Sequence, residues 1–156
     1  MVRGTAAVGA VLLLALVAAG AASPSRGACQ PVTATANDAA ASPTGPFVGH
    51  ADFTIGGVSY PNVLAITNVL APLTAAGKSG VLVTQTSHTY SSPQLGTITT
   101  IDSARLIPTK DPGVYHLQTH LELTSGGTGV LNLQATVNLA TLTASGSYVG
   151  TICGLP

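Results

Sequence analysis

The chain has 156 residues, five Lys or Arg against five Asp or Glu, no Trp and only 6% charged residues. A formally neutral chain so poor in charge has no basic face for nucleic acid or anionic lipid, and neither is expected as a partner. Solubility must instead come from Thr, Ser, Asn and Gln, which suits an exported, strand-rich protein better than a cytosolic one.

Arg3 precedes an uncharged run rich in Ala, Val and Leu that ends at Gly20-Ala21-Ala22, followed by Ser23-Pro24-Ser25-Arg26. This order of a basic residue, a short apolar run and small residues reads as a secretory signal peptide over residues 1–22, with cleavage expected after Ala21 or Ala22. An uncleaved anchor is the alternative, disfavoured because alanine and glycine make the run weakly hydrophobic per residue. A lipoprotein signal ending at Cys29 is disfavoured because Arg26 stands where an aliphatic residue is wanted. The mature chain is therefore expected to be secreted or periplasmic, with no stable membrane insertion. Its length of about 134 residues suits one domain with one core. In it Arg26, Lys78, Arg105 and Lys110 face Asp38, Asp52, Asp102, Asp111 and Glu122, a formal balance of minus one.

The two cysteines, Cys29 and Cys153, stand near the ends of this mature chain. In an oxidising compartment they are expected to form a disulfide, with two free thiols as the alternative.

Residues 23–46 contain mostly small residues and several prolines, and read as a flexible N-terminal segment. From Phe47 on, short alternations of apolar and polar residues are punctuated by Gly, Pro and Asn, which predicts an all-β domain over residues 47–156. Phe47 to Ile55 alternates, turns at Gly56-Gly57 and continues as Val58 to Tyr60, a hairpin. Asn62 to Leu70 is the next strand, and Leu73 to Ala76 has room for one helical turn before Gly77 and Gly80.

Val81 to Tyr90, Thr97 to Ile107 and Val114 to Thr124 are three further strands. Asp111-Pro112-Gly113 marks a turn, since proline presets one turn dihedral and glycine accepts a positive φ. Val130 to Leu139 alternates Leu131, Leu133, Ala135, Val137 and Leu139 with Asn132, Gln134, Thr136 and Asn138. In the last strand, Leu142 to Cys153, Gly146 and Gly150 suggest a bulge or sharp bend of the kind that helps close a barrel. The whole predicts a single antiparallel β-barrel of about seven to eight strands, with a β-sandwich as the alternative.

The strand VYHLQTHLELT, residues 114–124, carries the densest set of chemically capable side chains. Side chains alternate across a strand, so the leucines choose the core and leave His116, Gln118, His120 and Glu122 outside. His116 and His120 are about 13 Å apart along an extended strand and cannot share one zinc ion without a bulge. His120 and Glu122 could supply two ligands, with His50, Asp52 or His88 as further donors by residue type alone. A solvated polar face is the plainer reading, and no metal or other cofactor is expected.

Asp102 is in phase with Ile98, Thr100, Ala104 and Leu106, so its carboxylate is expected on the buried side, where it needs a partner unless the register breaks at Ser103. Arg105 is nearest in sequence but belongs to the other face. His88, beside Ser87 and Tyr90, is a general-base candidate, although a surface histidine near a strand end is the simpler reading. His88, Asp102 and Arg105 are thus the candidate catalytic residues. There is no Gly-x-Ser-x-Gly elbow, phosphate-binding glycine loop or Cys-x-x-Cys.

The run GGTGVLNLQATVNLATLTASGSYVGTIC, residues 126–153, resembles the closing hairpin of small secreted bacterial proteins similar to allene oxide cyclase and dirigent-type β-barrels. Gly127-Thr128-Gly129, the alternating strand and Gly150-Thr151-Ile152-Cys153 carry the resemblance, which extends loosely over residues 47–153. The chain departs from that pattern at Val130-Leu131 and Ala135-Thr136-Val137. The resemblance implies a barrel and an isomerase-like activity, but carries no catalytic residue over to this sequence.

Three functions remain open at this point. The barrel could bind a small apolar molecule, act as an isomerase-like enzyme, or serve as a non-enzymatic extracellular or envelope module working through its outer surface as a homo-oligomer. The inward set separates them. If Leu117, Leu121, Leu131, Leu133 and Val137 fill the interior there is no cavity; if Ala51, Ala135, Ala144 and Gly146 leave a void of roughly several hundred cubic ångströms, binding is favoured.

Overall fold

The structure is a computed structural model, and it describes residues 27–155. The expected leader over residues 1–22 and its cleavage site lie outside the described residues. Nine strands follow one another: β1 (Cys29–Ala40), β2 (Phe47–Ile55), β3 (Val58–Val69), β4 (Thr74–Ala75), β5 (Leu82–Ser92), β6 (Gly96–Pro108), β7 (Val114–Ser125), β8 (Thr128–Asn138) and β9 (Thr143–Cys153). All pairings are antiparallel, in the order β3-β2-β1-β9-β8-β7-β6-β5-β4, and a β3–β5 pairing closes the sheet into an eight-stranded up-and-down barrel with β4 as an extra edge strand. Closure removes the exposed sheet edges that a sandwich would keep.

Several sequence expectations are corrected, among them the two strands expected at 58–60 and 62–70, which are the single strand β3. The segment 23–46 was expected to be flexible, yet Cys29–Ala40 is β1, paired along its length with β2 and β9. Val32, Ala34 and Ala36 are buried in alternation with exposed Thr33, Thr35 and Asn37. Small side chains are what this place requires, because Ala34 lies between Phe53 and Tyr148 across the ladders. Leu73 to Ala76 contains no helical turn: Thr74 and Ala75 pair with Val83 and Leu82.

The glycines of β9 mark no bulge, since its registers with β1 and β8 run unbroken. They permit close approach: a Cβ on Gly146 would lie 2.6 Å from both the Ala135 Cβ and the Gln134 carbonyl. Irregularities fall elsewhere: in the β2–β3 ladder, where Pro61-Asn62 of β3 face the single residue Asp52, and in the β6–β7 ladder at Thr99-Thr100. In the former the carboxylate of Asp52 accepts a hydrogen bond from the Asn62 amide at 2.8 Å, and Asn62 adopts a φ of 54°. Cys29 and Cys153, directly opposite each other on β1 and β9, form the expected disulfide at the seam between the first and last strands. A disulfide suits an oxidising, extracytoplasmic compartment.

The barrel interior has two halves. Toward the disulfide end, Ile55, Val63, Ile98, Leu121, Leu131 and Ile152 are fully buried in one core. Above them Phe53, Tyr90 and Tyr148 form an aromatic layer, with Phe53 edge-on to Tyr90 at 5.1 Å and Tyr148 edge-on to Tyr90 at 5.7 Å. Toward the other end small residues replace large ones. Ala51, Ala36, Gly146 and Ala135 stand side by side across four strands, and the packing opens there.

Candidate functional site

A cavity occupies this upper half, opening at the barrel end opposite the disulfide. Water can enter about 80 Å³ of it, where a single water needs about 10–15 Å³. The space therefore suits a short chain or a single ring, and is smaller than the expected void. Leu117, Leu133, Val137, Leu106 and Ala36 supply its apolar wall, with Leu73 and Pro43 from the connecting loops at the mouth. Ala135, Ala144 and Gly146 line it as expected, whereas Ala51, beside Ala36, is buried in the core without lining it. Leu121 and Leu131 fill the lower half.

The opposite wall is polar and comes from β3 and β5. Thr84, Thr86, His88 and Tyr90 alternate inward along β5, and all four are buried. His88 is 4% exposed, so the expectation of a surface histidine is overturned. Its Nδ1 lies 2.9 Å from Thr67 Oγ1 and its Nε2 lies 3.1 Å from Thr86 Oγ1. The Thr86 hydroxyl in turn donates to Asp102 Oδ1. The ring also stacks parallel to Tyr90 at 6.1 Å.

Asp102 is buried on the inner face of β6, as its phase requires, and its partners are His88 and Thr86 rather than Arg105. Burial pushes its carboxyl upward, but hydrogen bonding to His88, the Thr119 and Thr86 hydroxyls and the His88 charge outweigh burial and hold it below the usual carboxylate range. Thr119 acts here without a well-formed bond to the carboxylate, since its hydroxyl donates to the Ser103 carbonyl at 3.3 Å and Asp102 Oδ2 has no partner. The β6–β7 ladder is open at this point, with no paired residues between Ile101↔Glu122 and Arg105↔Gln118.

Asp38 completes the polar side. It is half-buried on β1, and Gly49 opposite it lacks the side chain that would meet the Asp38 carboxylate at 2.5 Å. Burial raises its pKa to about 6, against the opposing pull of His88 and His50. Its Oδ1 is buried without a hydrogen-bond partner. Burial likewise raises the phenols of Tyr90 and Tyr148.

Arg105, His116, His120 and Glu122 are all exposed on the outside of the barrel. Arg105, His120 and Glu122 border one open polar furrow over the gap between β6 and β7, which Asp102 reaches from within. His116 lies apart from it, and His120 Nδ1 is engaged by Asn132 Oδ1. His50 is also exposed, and Asp52 is occupied by the Asn62 amide. Among the described residues, no three His, Cys, Asp or Glu side chains are grouped to hold a metal ion.

Of the catalytic candidates, then, His88 and Asp102 come together and Arg105 does not. Sequence reasoning missed Asp38, Thr67, Thr84 and Thr86. The alternation Val32-Ala34-Ala36-Asp38 was the signal for the first; the β5 residues gave none, because Thr and Ser occur on both faces of that strand. Comparison with protein-family models, with curated proteins and with solved structures gave no match.

Proposed function

We propose that this is a secreted or periplasmic binding protein that takes one small, mainly apolar molecule in the mouth of its barrel. The observation that carries this reading is the half-filled interior. Ala36, Ala135 and Gly146 stand where larger side chains would close the lumen, and the space they leave is lined by Leu106, Leu133 and Val137. Barrel mouths with apolar walls and a few convergent polar groups are common ligand sites. The test is titration with a single-ring apolar compound such as toluene, followed by amide chemical shifts. Shifts confined to β5, β8, β9 and β1 near the mouth are expected, and Ala36→Leu, which fills the space beside Ala51 and Gly146, should abolish them. Shifts that survive in that variant would locate binding elsewhere.

A second reading, an isomerase-like enzyme, draws support from the His88 ring, which a carboxylate orients through Thr86, an arrangement that general bases use. Both ring nitrogens are nevertheless engaged by threonine hydroxyls. A reacting group would have to displace Thr67 to reach one, which favours binding over catalysis.

A further inference from the structure

The polar wall of the cavity has a definite sense of hydrogen bonding. Asp102 is held ionised and can only accept, so the single proton of the Thr86 hydroxyl goes to it. Thr86 Oγ1 must then accept from His88 Nε2–H. In the uncharged ring Nδ1 is an acceptor, and the Thr67 hydroxyl donates to it. Thr84 commits its proton to the Ala71 carbonyl. While the ring is uncharged, the Thr67, Thr84 and Thr86 hydroxyls thus have their protons committed within the protein and can offer a ligand only lone pairs.

Asp38 adds a carboxylate whose Oδ1 has no partner. Tyr148, below, and Ser145, exposed on β9, are the lining side chains with hydroxyl protons not assigned by this chain of bonds. Among the described residues no Lys or Arg lines the cavity, and Arg105, the cation nearest in sequence to Asp102, projects from the outer face of β6. The wall is therefore rich in acceptors and negative, with an apolar wall facing it.

We propose that the ligand is a small apolar amine, bound as its ammonium ion with the charged head on Asp38 and its hydrocarbon body against Leu106, Leu133 and Val137. This inference rests on the pocket reading above and specifies its ligand class. An ammonium offers three donors and no acceptor, matching the wall, and its bond to a carboxylate is charge-assisted. A carboxylate of the same size would face Asp38, with Asp102 behind Thr86 and no Lys or Arg among the described lining residues to compensate. A neutral alcohol could donate only once.

Benzylamine, benzyl alcohol and benzoate, compared by calorimetric titration at pH 7.5, test the proposal with one ring and three head groups. Benzylamine is expected to bind about tenfold tighter than benzyl alcohol, with benzoate weakest. Asp38→Asn should remove the preference for amine over alcohol. Benzoate binding as tightly as benzylamine, equal affinities for all three, or an amine preference that survives Asp38→Asn would each overturn the ammonium assignment while leaving the pocket reading intact. Failure of all three to bind would overturn the pocket reading, and the assignment with it.

Discussion

His88 Nε2 lies 3.4 Å from Asp102 Oδ1 inside the barrel, with the Thr86 hydroxyl shared between them. The two residues sit on adjacent strands, where His88 pairs with Thr100 and Asp102 with Thr86, so they are diagonal neighbours on one inward face. A buried carboxylate that loses its partner is costly, and removing one member of such a pair commonly costs about 3–5 kcal/mol. His88→Ala is expected to destabilise the barrel by that order. A double-mutant cycle with Asp102→Asn should return a coupling of about 1–3 kcal/mol. Additive effects in urea unfolding would show that the two residues act independently.

Asp38 imposes a pH dependence of opposite sign to that of Asp102. Its folded pKa of about 6 lies above the ordinary value of 3.8. Between those values the native state holds more protons than the unfolded state, so stability falls as pH rises through this window. Asp102, held below its ordinary value, contributes stability that is lost only as the pH falls below about 4. Asp38→Asn should therefore stabilise the protein at pH 7, by about 1–2 kcal/mol after allowing for partial solvent screening, with the gain vanishing by about pH 4. Denaturant midpoints measured from pH 4 to 7.5 check both sign and window.

The disulfide joins residues 124 positions apart. In the chain-entropy account, closing a loop of that length stabilises by about 4–5 kcal/mol. The variant with both Cys29→Ser and Cys153→Ser should melt roughly 10–20 °C lower than the oxidised protein. Oxidised wild type heated in reductant should approach the same temperature. A change of only a degree or two would mean that β1 and β9 hold their seam without the bond.

On the outer face, His116 and Glu122 contact solvent rather than the core. His116→Ala and Glu122→Gln should each change stability by less than about 0.5 kcal/mol. Adding zinc should leave the melting temperature unchanged, because the outward imidazoles lie on separate stretches of surface and His120 is held by Asn132.

Much of this architecture is legible in the residue order, because strands with one oily face reveal both their extent and their orientation. Leu131, Leu133 and Val137 alternate cleanly with Asn132, Gln134 and Thr136, and β8 lies as that pattern predicts. The same rule placed His116, His120 and Glu122 outside and Asp102 inside. It failed where polarity does not distinguish the faces. In β5 both sides carry Thr or Ser, so nothing marked His88 as interior, and in β1 alanines looked too small to pack until Phe53 and Tyr148 were found on either side of them.

By itself, then, the sequence determined the all-β class, the sidedness of the oily strands and the pairing expected of its two cysteines, all of which follow from local periodicity and composition. Only the tertiary structure decided that β1 belongs to the barrel, that His88 meets Asp102 through Thr86, and that Asp38 faces an open lumen. Those are relations between strands, set by register and by the sizes of cross-strand neighbours, and no window along one strand contains them.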